Sequence, residues 1–125
     1  MKITVTNRLL YYRDLVPSPL TMVIASGAIR VGSLPIIKMK LRTENDDPAD
    51  VLTTINGGVM GTKLTLLLYD ATKEITITAG VDIHLAENYD ETGMDFILDR
   101  AYKLIELECI TPGRWKEIGR FSNAD

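Results

Sequence analysis

A single cysteine, Cys109, stands in the 125-residue chain, so no internal disulfide can form and no Cys-rich metal site exists. An unpaired thiol is easiest to keep in a reducing compartment, although a bridge to another chain stays open. Histidine is just as scarce: His84 stands alone, which removes most general-base and metal-ligand schemes. Long apolar runs are missing too. Stretches such as Leu66-Leu67-Leu68-Tyr69 fall far short of the ~20 residues that cross a bilayer, so no membrane partner is expected. Met1 to Arg8 lacks the basic-then-apolar layout of a secretory signal, which leads us to expect a protein kept in aqueous surroundings. Positive charge is in deficit: 14 Lys and Arg against 17 Asp and Glu give −3 and a pI near 5.1. That balance argues against a dedicated nucleic-acid binder, which would carry a basic stripe.

What the chain does have is an ordinary globular balance, 46% apolar and 25% charged residues, at a length typical of one domain. Its distinctive feature is β-branching. Thirteen Ile, 7 Val and 13 Thr make up about a quarter of the residues, which suits pleated sheet better than helix. Residues 1–19 read as an N-terminal arm. Leu9-Leu10-Tyr11-Tyr12 is an apolar knot, and Pro17-Ser18-Pro19 enforces an extended path into a single β-domain spanning 20–125. The arm is either a first edge strand on its own core or a segment that packs on a neighbour.

Strands follow in quick succession at 20–24, 28–31, 36–42, 62–69, 74–78, 81–85, 94–98, 101–110 and 114–121. Ile37, Met39 and Leu41 alternate with Lys38, Lys40 and Arg42, the period of a sheet with one wet side. The strand 62–69 is apolar on both faces: Leu64, Leu66 and Leu68 point inward, Leu67 and Tyr69 the other way. It belongs at the centre of a sheet or against a partner. After the acidic stretch Glu44 to Asp47, Asp50 is placed to cap a short helical turn near 50–56 that stops at Asn56-Gly57-Gly58. Thr111-Pro112-Gly113 marks a tight turn before the last strand. Short, closely spaced strands predict an all-β fold, an antiparallel sandwich or barrel-like domain of the jelly-roll or β-tulip type.

No constellation for chemistry is visible. His84 alternates with Ile83 and Leu85 on the polar face with Asp82, a solvated strand position. Cys109 lies beside Leu107 on an inward face and reads as a small buried hydrophobe. Neither Glu44-Asp46-Asp47 nor Glu87-Asp90-Glu91 has calcium-loop spacing, and Glu106 and Glu108 read as a wet strand face. Gly57, Gly58 and Gly61 mark turns or close backbone approach without a phosphate-loop pattern, and Lys63 does not complete one. Trp115 closes the core of the domain or anchors an interface. Arg114, Lys116 and Arg120, offset by Glu117 and Asp125, are too few for nucleic-acid affinity. No enzyme, metal or cofactor is expected.

The stretch from Leu20 to Ser122 resembles a β-domain of tailed-bacteriophage structural proteins, found in capsid decoration (cement) proteins and in head or tail fibres. The resemblance rests on Met22 to Val31, on Leu52 to Gly61 followed by Leu64-Thr65-Leu66, and on Ile75-Thr76-Ile77, Ile83-His84-Leu85 and Phe96-Ile97-Leu98. It closes on Leu104 to Leu107 with Trp115-Lys116-Glu117-Ile118-Gly119-Arg120. The family's turn before the tryptophan usually reads Asp-Gly-x-x-Trp; here it is Thr111-Pro112-Gly113-Arg114-Trp115. The resemblance implies a non-enzymatic homotrimer bound to the major capsid protein or another virion protein. It would be assembled in the host cytoplasm and sit on the capsid surface, with no nucleic-acid or membrane partner. Leu9, Leu10, Tyr11, Tyr12, Leu67 and Tyr69 are the candidate interface residues. The alternatives are a tail-fibre, baseplate or head–tail connecting component, or a carbohydrate-binding module. The last would want its exposed aromatics on one face, whereas Tyr11, Tyr12, Tyr89 and Trp115 are scattered.

Overall fold

Alternation decides which side chains are buried, and the chain then has to find partners for its short strands. A computed structural model describes residues 20–85 and 95–121. The expected arm at 1–19, with Leu9, Leu10, Tyr11 and Tyr12, lies outside the described residues, as does the acidic loop carrying Glu87, Asp90 and Glu91. The strands are β1 (Leu20–Val23), β2 (Ala28–Val31), β3 (Ile36–Arg42), β4 (Ala49–Leu52), β5 (Thr54–Gly57), β6 (Lys63–Leu68), β7 (Glu74–Ile77), β8 (Ile83–His84), β9 (Phe96–Leu98), β10 (Leu104–Thr111) and β11 (Arg114–Phe121). The all-β expectation holds, with one three-residue 3-10 turn at Glu44–Asp46 as the helical element among the described residues.

The pairing departs from the antiparallel expectation. β1, β3 and β6 lie parallel in one sheet, β2 and β5 are parallel in a second, and β4 and β7 are parallel in a third. Each return of the chain lays a strand on the one before, so residues 20–77 wind as a short three-faced coil. The chain then reverses. β9 runs antiparallel to β7, β10 antiparallel to β6, and β11 folds back on β10 and pairs in parallel with β8. The large sheet has the order β1-β3-β6-β10-β11-β8. β6 occupies its interior, as the apolar character of both its faces requires.

The helical turn expected near 50–56 is absent. Val51, Thr53, Thr54 and Ile55 form β4, a corner at Thr53, and β5. Leu52 and Ile55 are both buried three residues apart, a spacing that mimics one helix face. The corner produces it instead, by resetting the strand period. Gly27 holds that corner: its carbonyl accepts the Thr53 N–H at 2.8 Å and the Thr54 N–H at 3.2 Å. Asp50 caps no helix; its Oδ2 accepts the Glu44 N–H at 2.7 Å and its Oδ1 the Val51 N–H at 2.8 Å. β-branching tips the balance, because these side chains lose rotamer freedom in a helix and pack well on a pleated surface.

One core serves all three sheets. Ile37, Met39, Leu41, Leu64, Leu66, Ile105 and Leu107 line the inner face of the large sheet. They meet Ile29 and Ile55 from the second sheet and Leu52, Ile75, Ile77 and Leu98 from the third. Leu64 and Leu66 are wholly buried, and truncating either to Ala costs about 2–5 kcal/mol. Trp115 is also wholly buried, and its Nε1–H donates to the Ile55 carbonyl at 3.1 Å, tying β11 to β5. Room for the indole comes from Gly58. Its φ is +83°, and a Cβ there would stand 2.7 Å from the Trp115 ring and 3.2 Å from the Cys109 sulfur. The β10–β11 connection is the two-residue turn Pro112-Gly113, with Gly113 at φ +85°, the type II signature.

Candidate interaction surface

With the inner face filled, the outer face of the large sheet carries the chain's exposed character. Register aligns its side chains into rows that cross the strands. Thr21, Lys40, Leu67, Leu104 and Phe121 form one row over β1, β3, β6, β10 and β11. Lys38, Thr65, Glu106 and Gly119 form the next, then Ile36, Lys63, Glu108, Lys116 and His84. The face is therefore graded, charged towards the last row and apolar towards the first.

At the apolar end lies an open groove of about 450 Å³, floored by Leu67 and Leu104, walled by Tyr69, Tyr102 and Phe121, and rimmed by Lys38 and Lys40. Leu67 is half-buried among its strand neighbours, while Tyr69, Phe121 and Tyr102 are 50%, 53% and 75% exposed. Tyr69 is braced by the Arg42 guanidinium, 4.8 Å from its ring centroid, within cation–π range. Tyr102 is held at φ +69°, a left-handed conformation that costs an L residue about 1–2 kcal/mol. The other non-glycine positive-φ residues among those described, Ser26, Asn45 and Asp46, have short polar side chains; a bulky aromatic there is an outlier. Asp99 staples the turn that imposes it, meeting Arg100 Nε at 3.2 Å and Lys103 Nζ at 3.3 Å. Burial pushes the Asp99 carboxyl up, but the hydrogen bonds from Arg100 and Lys103 outweigh it and hold the group below its ordinary value. Strain retained in this way is typical of functional surfaces.

Of the interface residues expected from the sequence, Leu67 and Tyr69 do come together at this groove. Tyr102, Leu104 and Phe121 were not singled out. They are 33 or more positions from Tyr69, and alternation alone cannot say that β10 and β11 fold back onto β6. Trp115 joins no exposed surface; it is core. Arg114 and Lys116 stand exposed on β11, but Arg120 turns away to form a bidentate pair with Glu117, Nε to Oε2 at 2.6 Å and Nη2 to Oε1 at 2.8 Å, and stacks on Phe96.

The remaining candidates lie apart from the groove. Cys109 is buried and its thiol donates to the Thr111 carbonyl at 3.0 Å; burial pushes its pKa up, the opposite of an activated nucleophile. His84 is exposed beside Lys116 across the β8–β11 pair. In the acidic turn, Glu44 Oε1 accepts the Ser26 N–H and Asp46 bridges to Lys73 at 3.3 Å. No three His, Cys, Asp or Glu side chains among the described residues gather closely enough to hold a metal ion. No helix among them is long and apolar enough to cross a membrane.

Comparisons with protein-family models, with curated proteins and with solved structures returned no match.

Proposed function

We propose that the protein is a non-enzymatic structural component of a phage virion, a homotrimeric decoration protein that binds the outside of the head and bridges capsid subunits. The observation that carries this reading is the apolar end of the large sheet. Leu67, Leu104, Phe121, Tyr69 and Tyr102 converge on a rigid β-scaffold, and no described part of the chain covers them. Aromatic anchors inside a polar rim are the usual make-up of a protein–protein contact. The work of such a protein is mechanical. An interface of ~1,600 Å² is enough for stable docking, and copies around a symmetry axis add avidity.

Light scattering at micromolar concentration should give the mass of a trimer; a monomer overturns the oligomer. Electron microscopy of intact particles should locate the chain on the head surface, and its absence from particles overturns the virion reading. Deleting residues 1–13 should weaken capsid attachment and leave the β-domain folded, and unchanged occupancy removes the arm from the scheme.

A fibre or connector component is the second reading, favoured by the parallel coil of residues 20–77. β1 ends the large sheet and β2 pairs with β5 alone, so each presents an edge that no described strand covers and that a further rung could extend. Density on the tail, with none on the head, would decide for it.

A further inference from the structure

The outer face of the large sheet is out of electrostatic balance with the rest of the described residues. Lys38, Lys40, Arg42, Lys63, Arg114 and Lys116 stand on it, opposed by Glu106 and Glu108. Six cations against two carboxylates leave the face at +4. Among the other described residues, five cations and ten acids leave −5. None of the six cations has a carboxylate within ion-pair distance among the described residues. Off this face, Lys73, Arg100, Lys103 and Arg120 each meet one at 2.6–3.3 Å.

We propose that a second copy of this chain covers this face through its acidic side, in a head-to-tail contact. The proposal rests on the oligomer proposed above and specifies which surfaces meet. Two large sheets packed face to face would bring two surfaces of +4 together, which complementary interfaces avoid. Head-to-tail contact opposes the +4 face to the −5 remainder of the described residues. It is also the contact type that a closed three-fold ring requires, since a self-complementary patch yields dimers. The acidic counterpart is the surface around Asp47 and Glu74. Both are exposed, and they are brought together where the Glu74 N–H donates to the Pro48 carbonyl at 3.0 Å, with Asp46 alongside. Neither Asp47 nor Glu74 has a cation within ion-pair distance among the described residues. Lys38 and Lys40, at the groove rim, then meet carboxylates while Tyr69, Tyr102 and Phe121 fill apolar surface between them.

The experiment is sedimentation equilibrium of the full chain in 50 and 500 mM NaCl, with circular dichroism and Trp115 emission confirming the fold of each variant. The oligomer's dissociation constant should rise about tenfold with salt. Lys38→Glu/Lys40→Glu and Asp47→Lys/Glu74→Lys should each be monomeric, and the chain carrying all four changes should regain the oligomer. If either double variant is misfolded, Lys38→Gln/Lys40→Gln should still weaken association. A wild-type monomer in 50 mM NaCl defeats the oligomer itself. An oligomer indifferent to salt and to the lysine changes leaves that reading standing and overturns the head-to-tail contact. So does failure of the fourfold exchange to restore association between folded chains.

Discussion

Gly58→Ala puts a Cβ where the indole of Trp115 lies, and the cost can be worked from the geometry. The methyl would stand 2.7 Å and 3.0 Å from two ring carbons and 3.2 Å from the Cys109 sulfur, closer than packed atoms tolerate. At φ +83° an alanine carries a left-handed penalty of about 1–2 kcal/mol, partly offset by the smaller chain entropy of unfolded Ala. Overpacking adds about 1–3 kcal/mol. If the ring shifts enough to release the Ile55 carbonyl, a further ~1 kcal/mol goes with that hydrogen bond. The total is about 3–5 kcal/mol. Gly61→Ala is the internal control, because φ is +92° there and nothing lies within 4 Å of the added Cβ. It should cost about 1 kcal/mol, from backbone conformation alone. Urea unfolding followed by the emission of Trp115 separates the two, since the chain has one tryptophan and it is wholly buried. At a slope of about 2 kcal/mol per molar, the midpoint should fall by roughly 1.5–2.5 M for Gly58→Ala and about 0.5 M for Gly61→Ala. Equal shifts would refute the packing argument and leave only the shared backbone penalty.

Three further outcomes are expected. Cys109 should resist a chromogenic thiol reagent in the native state at pH 8 and react on unfolding. Because burial raises its folded pKa above the ordinary 9.0, the stability it contributes is fully present below pH 9 and lost as pH climbs through the raised value; stability rising above pH 9 would contradict this sign. Tyr102→Asn, a residue at ease with φ +69°, should leave unfolding within about 0.5 kcal/mol of wild type while weakening self-association, and a larger loss of stability would make Tyr102 structural. Chelator should leave the melting temperature unchanged, and a fall of several degrees would reveal a bound cation.

Much of the candidate surface was beyond sequence reading for one reason: a face assembles residues from strands whose neighbours are set far along the chain. Leu67 and Tyr69 could be named because they share one strand with a buried set. Leu104 and Phe121 join them only through the registers Leu67↔Leu104 and Leu104↔Phe121. Tyr102 joins through a turn whose positive φ contradicts its residue type, so no propensity rule points to it.

Local pattern determined a good deal by itself. Period-two alternation assigned the inward sets Ile37, Met39, Leu41 and Leu64, Leu66, Leu68, and Pro112-Gly113 marked its turn. Cys109 was placed in the core by its inward alternation, and burial of Trp115 was one of the two roles left open for it. These follow from short-range sterics and from the water-avoidance of single side chains. Tertiary structure alone decided that β1, β3 and β6 run parallel, that Leu52 and Ile55 flank a corner instead of a helical turn, and that cations from β3, β6 and β11 share one face. Alternation is identical in parallel and antiparallel strands, so direction and register come from how successive coils bury a common core, an energy spread over residues that no local window contains.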